Sequence, residues 1–517
     1  MNGRSQLLLQ AGSLSCAALF LRTSSLAIEG FDLPKELALA ATGLFALAFC
    51  VRDERLRLDA IDRLLWAGVA LTVLSFAASG AFWPGIRGMI LCTSCAATFT
   101  ASRTLSREHG SEPLLRIAAM AVAMVATSML LEAHGMLRLS LPGRAPGGLL
   151  GHRNFAGHLC GLSLPLFVWL AVSSKTKTRR AAIVALSLVM AALVLTRCRT
   201  AWVGAACGLA VFGGCLALIR GGPRPRSFAL PAAALLLGLA AAVLPSNTLS
   251  WRTDRPFTET VGALADFSAG SGAARISLYR TTLAMIAAHP LLGVGPGGWT
   301  IEYVRYAPSD DPTVQRQHIY QSPPRATSDF LGLCAERGVL GLLLLLLPAV
   351  LLSLSAIRDL RDSNKPVDLR SVALLSLLGA LVPMMAFDCP LQVAPTAQLM
   401  FLAAGSLAPA EIGKRWSPPR WTASALASLA IVCSAYLAAQ VTAGALLTRK
   451  SMAARELGAR LAPGNPRIQL LVAAAWIDLG RFDRCVPLAE RALAASPTLE
   501  LARSMLDDCR ARSSTAH

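Results

Sequence analysis

Apolar runs of about 16 to 24 residues recur along most of the chain, separated by short polar or basic segments. Most are long enough to cross about 30 Å of hydrocarbon. Thirteen such runs are read as transmembrane helices: 7–27, 34–51, 64–82, 86–101, 114–134, 155–173, 181–196, 201–219, 228–245, 329–357, 371–387, 391–408 and 421–444. Two stretches break the pattern. Residues 246–328 form a polar segment far longer than ordinary connections, and segments of that kind are usually functional. After Thr448 the apolar runs give way to amphipathic helices broken by Asn-Pro and Ser-Pro.

The pattern predicts an all-α protein: a polytopic membrane bundle of about 12–13 transmembrane helices. It divides into N-terminal spans (1–245), a long loop containing short helices (246–328), C-terminal spans (329–448) and a helical tail (449–517). A cleaved signal peptide does not account for spans this late in the chain.

Charge gives the bundle a direction. The connections "VRDERLRLDAIDR", "SRTLSREHG", "SSKTKTRR", "RGGPRPRS", "RDLRDSNKP" and "KRWSPPR" carry much of the basic charge and fall on every second connection. They therefore share one side, expected to be cytoplasmic. The long loop and, with an odd span count, the tail are then expected outside the inner membrane.

Composition agrees: 54% of the 517 residues are hydrophobic and only 15% charged, well below the soluble norm. The net charge of +19 follows from the connections and does not indicate nucleic acid, whose binders concentrate basic groups on one face. Cys92 and Cys95 form a CxxC inside an apolar run with no second ligand pair, and read as packing residues. No metal or cofactor is expected.

Several arginines lie on the side where insertion does not favour them. Arg153 follows a Gly/Pro-rich connection, Arg197 and Arg199 share the short turn "LTRCRTAWVG", and Arg275 and Arg280 lie in the long loop. Grouped at membrane depth, they suit an anionic ligand, because the guanidinium fork binds phosphate with two hydrogen bonds. Asp329, Glu336 and Arg337 sit at the entry of the tenth span, where charge is costly and usually paired.

The ordered stretches "GHRNFAGHLCGLSLPL", "LTRCRTAWVG", "ARISLYRTTLAMIAAHPLLGVGPGGW", "TSDFLGLCAERGVLGL" and "FDCPLQVAPTAQLMF" resemble the O-antigen ligase/polymerase family over roughly residues 140–410. The resemblance implies a metal-independent glycosyltransferase of the bacterial inner membrane, serving surface polysaccharide and lipopolysaccharide synthesis. It implies a donor glycan on undecaprenyl diphosphate and an acceptor that is lipid A–core, another glycan or a protein hydroxyl. Ligase, repeat-unit polymerase and protein O-oligosaccharyltransferase all stay open.

Arg199 and Arg275 match the arginines that grip the donor diphosphate. Asn154, Glu336 and Gly338 match further motif positions, as do His289, Pro290, Gly293, Gly295 and Gly297 of the loop turn. Arg153 and Arg280 join the expected substrate-binding set. Cys198 stands where the family usually has Ser. Thr327-Ser328 stands where most members have His-Asn or His-Ser, and that His is the candidate base. Thr327 cannot accept a proton near neutral pH. Either His318, nine residues upstream, or Asp329 takes over, or the step proceeds without that base, or activity is weak.

The tail segment "AWIDLGRFD…AERALAASP" is similar to a tetratricopeptide repeat, with Trp476, Leu479, Gly480 and Phe482 at the first-helix and turn positions and Ala489, Ala492 and Pro497 in the second helix and stop. So short a solenoid needs a neighbour to bury its face, either the membrane domain or a protein partner. The rival reading is a non-catalytic scaffold or a lipid-glycan transporter. A transporter predicts two similar halves, which the sequence does not display.

Overall fold

The computed structural model describes residues 3–21, 27–80, 82–219, 224–251, 253–263, 270–362, 368–408 and 413–514. Residues 220–223 and 363–367 of two basic connections, and 268–269 of the loop's Gly/Ser stretch, fall outside them.

Among the described residues nine α-helices precede the long loop: α1 (Arg4–Ala18), α2 (Ala27–Arg52), α3 (Ala60–Ala78), α4 (Phe82–His109), α5 (Glu112–Ala133), α6 (Arg153–Ser173), α7 (Thr176–Thr196), α8 (Arg199–Leu218) and α9 (Ala229–Val243). The loop folds into α10 (Pro256–Gly262), α11 (Gly270–Ala288) and α12 (Trp299–Tyr306). Then come α13 (Asp329–Arg361), α14 (Leu369–Phe387), α15 (Ala394–Leu407) and α16 (Trp421–Leu447). The tail holds α17 (Met452–Leu461), α18 (Pro466–Asp478), α19 (Phe482–Ala495) and α20 (Glu500–Ser514). Among the described residues there is one isolated β-bridge and no strand.

Each of the thirteen expected spans corresponds to a helix, and ten of the described helices are long and apolar enough to cross a membrane. The other three are α1, α4 and α15. With 15 and 14 residues, α1 and α15 extend only about 21–23 Å, short of the hydrocarbon thickness. α4 is long but rich in Thr and Ser, with Arg87, Arg103 and Arg107 along it.

α6 is the centre. Every side chain from Ala156 to Ala171 is buried, and it packs on α5, α7, α8, α14 and α15. At the periphery, Leu236 and Leu237 of α9 and Leu343 and Val350 of α13 are exposed. In a soluble protein such exposure is a liability; against lipid it is the expected outer surface.

Three basic connections meet at one end of the bundle. The Leu58 and Trp416 backbones exchange N–H···O bonds of 2.9 Å, and Arg55 pairs with Glu108 at 3.1 Å. Beneath them Arg103, 1% exposed, is held by Asp59 at 2.7 Å and Asp62 at 3.0 Å. A buried cation with two carboxylate partners escapes most of its desolvation cost.

The tail packs on the long loop. Arg316 pairs with Glu500 at 2.6 Å. Gln321 donates to Thr498 O at 3.0 Å and accepts from Glu500 N at 2.9 Å. Thr498 Oγ1 donates to Ile301 O at 2.9 Å. Within the tail, α18 and α19 form a helical hairpin turning at Gly480, and Cys485 on α19 is disulfide-bonded to Cys509 on α20. That bridge was not visible among the thirteen scattered cysteines.

α13 is broken at Gly338 (φ 68°, ψ 179°). The segment 339–361 alone is about 34 Å long, enough to cross hydrocarbon. The preceding turns, carrying Asp329, Glu336 and Arg337, are a separate short helix. The break frees backbone groups, and the loop stretch "HPLLGVGPGGW" takes them up. Val294 N donates to Ala335 O (2.9 Å), Gly295 N to Glu336 O (3.0 Å) and Val339 N to Pro290 O (2.9 Å). Ser75 of α3 donates to Leu292 O and Glu336 O at 2.6 and 2.8 Å. Irregular backbone at membrane depth is tolerable only when satisfied in this way.

Candidate functional site

A cavity of about 360 Å³ lies between α2, α3, α4, α13, α16, the long loop and the tail. Its charged wall begins on α2. Glu29, Asp32 and Glu36, spaced i, i+3, i+7, share one helix face, and all three are buried. Each draws an arginine from a different part of the chain. Arg467 of α18 meets Glu29 at 2.7 Å, Arg325 of the loop meets Asp32, and Arg87 of α4 binds Glu36 with two bonds of 2.6 and 2.8 Å. This ladder joins α2, α4, loop and tail. Burial works against charge on Arg325, but Asp32 beside it wins and holds the guanidinium pKa above its ordinary value.

Asp329 and Glu336 line the cavity. Asp329 is the first residue of α13 and 1% exposed; its oxygens accept from Leu391 N at 2.8 Å and Gln392 Nε2 at 3.3 Å. Glu336 is within 3.5 Å of Arg337, which also donates to Thr72 at 3.1 Å. Ser328 caps α13, accepting from Leu331 N at 3.3 Å, and donates to Met385 O at 3.0 Å. The Thr327 hydroxyl is buried with no hydrogen-bond partner among the described residues, while its carbonyl accepts from Tyr279 at 3.0 Å.

Immediately beyond Asp329 is a second polar cluster. The Asp329 amide donates to Asp388 O at 3.0 Å. The Asp388 carboxylate lies 3.8 Å from Arg275 Nη2 and 3.5 Å from His158 Nε2. His158 also contacts Thr200 at 2.9 Å and Cys198 Sγ at 3.7 Å. His158, Cys198 and Asp388 place one ligand-type atom each within 4.8 Å of one another, and these are donor types that suit a cation such as zinc. The ion pair and hydrogen bonds described here engage all three.

The loop before α6 winds around Glu132, which accepts from Leu139 N, Ser140 N, Gly147 N and Gly148 N at 2.7–3.0 Å. This fixes the start of α6, where His152 accepts from Asn154 N at 3.1 Å. Burial, then the nearby Arg144, pushes the His152 pKa down to about 3, so it caps the helix as a neutral ring. Arg325 stacks over Phe155 at 4.8 Å, tying the start of α6 to the cavity.

The expected site residues thus separate. Asp329 and Glu336 line the cavity, with Thr327 just outside it. Arg275 belongs to the adjoining Asp388 cluster. Arg199 turns to the loop and donates to Ala263 O, while its neighbour Arg197 binds Thr260 at 2.7 Å. Arg153 and Asn154 begin α6, half-buried; Arg280 is exposed on α11. His318 is exposed and accepts from Tyr320 N at 3.1 Å, apart from the cavity lining. Sequence reading missed His158, Asp388, Arg325 and the α2 ladder. Three acidic residues ahead of an apolar run, in "IEGFDLPKEL", were the available signal.

Segment 160–346 of this helical membrane bundle matches the family model described as O-antigen ligase. Over that segment the chain carries an O-antigen ligase domain, which supports a membrane glycosyltransferase of that kind. The matched segment contains Arg199, Arg275, Thr327, Asp329 and Glu336; Arg153, Asn154, Asp388 and the tail lie outside it. No curated protein matches the chain.

Proposed function

We propose that this protein transfers a glycan from a lipid-diphosphate-linked donor, such as undecaprenyl diphosphate, to an acceptor hydroxyl at the outer face of the bacterial inner membrane. The observation that carries this reading is the meeting of Arg275, Asp388 and Asp329 at the entry of α13, inside or beside the matched segment. As the bond from the anomeric carbon to the diphosphate oxygen breaks, its electron pair stays on the leaving group. A fixed guanidinium at a partly dehydrated boundary stabilises that charge. Arg275 is suited to this because its contact with Asp388, at 3.8 Å, is looser than a hydrogen bond. Arg199 joins it once the loop segment it now holds gives way. The acceptor oxygen attacks from the opposite side, inverting the anomeric centre, and its proton passes to Asp329, a titratable group of the cavity wall two residues after Thr327.

Two features support an outer-face location for loop and tail. The tail carries a disulfide, which persists in oxidising compartments, and the basic connections gather at an end of the bundle built from other segments. The acceptor is a glycan, lipid A–core or a protein.

The test is transfer by purified protein in nanodiscs, with donor and acceptor extracted from the producing cells. Arg275→Ala should lower transfer at least about 100-fold and Arg275→Lys nearly as much, since Lys lacks the bidentate fork. Transfer at the wild-type rate by Arg275→Ala would overturn the reading. In a deletion strain, undecaprenyl-linked polymer accumulates if the protein is a ligase, and single-unit caps appear if it is a polymerase.

A further inference from the structure

The cavity is not built for a diphosphate. Its wall carries five carboxylates (Glu29, Asp32, Glu36, Asp329, Glu336) against four guanidinium groups (Arg87, Arg325, Arg337, Arg467), most of them already paired. What it offers instead is aromatic surface from Trp83, Tyr320 and Tyr436, together with polar groups that lack a partner. Gln440 on α16 is 6% exposed, lines the cavity and makes no hydrogen bond among the described residues. On two other lining residues, the Tyr320 hydroxyl and Arg325 Nη1 are buried without a partner among the described residues. The Gln440 primary amide offers donors and an acceptor to a hydroxyl-rich ligand in the cavity. The volume lies within the usual range of ligand sites, about 300–1,000 Å³. Aromatic faces for C–H surfaces and amides for hydroxyls are the chemistry of a saccharide.

The tail completes this cavity. Gly464, Asn465, Pro466 and Arg467 form one edge and Ser496, Thr498 and Leu499 another. The approach at Gly464 is so close that a Cβ there would lie 1.7 Å from the Trp83 ring; only glycine lets the tail settle against that indole. Arg467 stacks over Tyr320 at 4.2 Å while pairing with Glu29. The tail therefore packs against Trp83 and Tyr320, two of the aromatic residues that line the cavity.

We propose that this cavity is a saccharide subsite and that the C-terminal helices form one of its walls, so that the tail helps determine which glycan is used. The identity of the saccharide, as part of donor or acceptor, rests on the glycosyltransferase reading; the binding itself does not. The probe is oligosaccharide released by mild acid from the producing cells' own surface polysaccharide. Its binding to full-length protein in nanodiscs is followed by saturation-transfer NMR and calorimetry. Gln440→Leu, close in volume, should weaken binding at least tenfold with little change in the unfolding midpoint, because the Gln440 side chain makes no hydrogen bond among the described residues. Trp83→Ala should weaken binding similarly.

In the transfer assay, the same variants should raise KM for one substrate with little change in kcat. A rise for the donor identifies a donor sugar, and a rise for the acceptor identifies an acceptor sugar. Absence of binding to wild-type protein, or equal binding by Gln440→Leu, overturns the proposal. Both outcomes are read independently of whether Arg275→Ala abolishes transfer.

Discussion

The break in α13 makes a sharp demand on one residue. At φ 68° and ψ 179°, Gly338 occupies backbone space that is almost closed to other residues, at a cost of about 1–3 kcal/mol. A Cβ there would also fall 1.9 Å from Leu291 O and 2.2 Å from Leu291 C. Those are backbone atoms, so no side-chain rotation relieves the clash and the loop turn must withdraw. Withdrawal forfeits the bonds from Val294, Gly295 and Val339 to Ala335, Glu336 and Pro290, each worth about 1 kcal/mol net. Gly338→Ala should therefore destabilise the protein by about 4–6 kcal/mol, a large share of the stability of an ordinary domain. Thermal unfolding in detergent, followed by circular dichroism, should show a markedly lower midpoint, and protease should cut within 289–299 before global unfolding. Gly213→Ala is the control. It lies in α8 with nothing within 4 Å of the added methyl, so it should be neutral or stabilise by up to about 1 kcal/mol. A Gly338→Ala midpoint indistinguishable from that of Gly213→Ala would refute the reasoning.

Two further outcomes are expected. His152, whose folded pKa of about 3 lies below its ordinary value, contributes fully above about pH 6.5 and progressively less as pH falls; His152→Asn, a cap that does not titrate, should flatten the decline in unfolding midpoint from pH 6.5 to 4.5, and an unchanged slope would count against it. Cys485 and Cys509, 24 residues apart, should resist alkylation until reduced, and Cys485→Ser should lower tail stability by about 3 kcal/mol, measured as faster proteolysis of the segment after Thr448.

The helices were legible because apolar length is a local property. Each expected span has its helix, and the errors lie at the ends, the largest where the first span was expected to reach residue 27 but α1 stops at Ala18. Helix α4 shows where composition misleads: its polar residues, including Arg103, are buried against other helices instead of marking an end. The polar cluster around Asp388 was less legible because its members come from α6, α8, α11 and the α14–α15 connection. His158 lies in an apolar run, four residues after Asn154, and nothing near it in sequence announces Asp388. The disulfide was hidden for the same reason, since two cysteines 24 residues apart become partners only when α19 and α20 pack.

The charged entry of α13 shows why local reading stops where it does. Read as the start of a continuous membrane helix, Asp329, Glu336 and Arg337 look prohibitively placed. The break at Gly338 removes them from the spanning segment, but that break depends on glycines in a loop stretch some 40 residues earlier. Likewise the three acids of α2 are costly unless paired, and their partners lie 51, 293 and 438 residues away. Each pairing pulls a different segment to one wall: the helix α4, the long loop, and the tail. A buried carboxylate that loses its partner costs several kcal/mol, so the ladder ties the tail to the membrane bundle. The same three arginines line the cavity. Docking of the tail and completion of the cavity are thus one event, and the acidic face of α2 couples them.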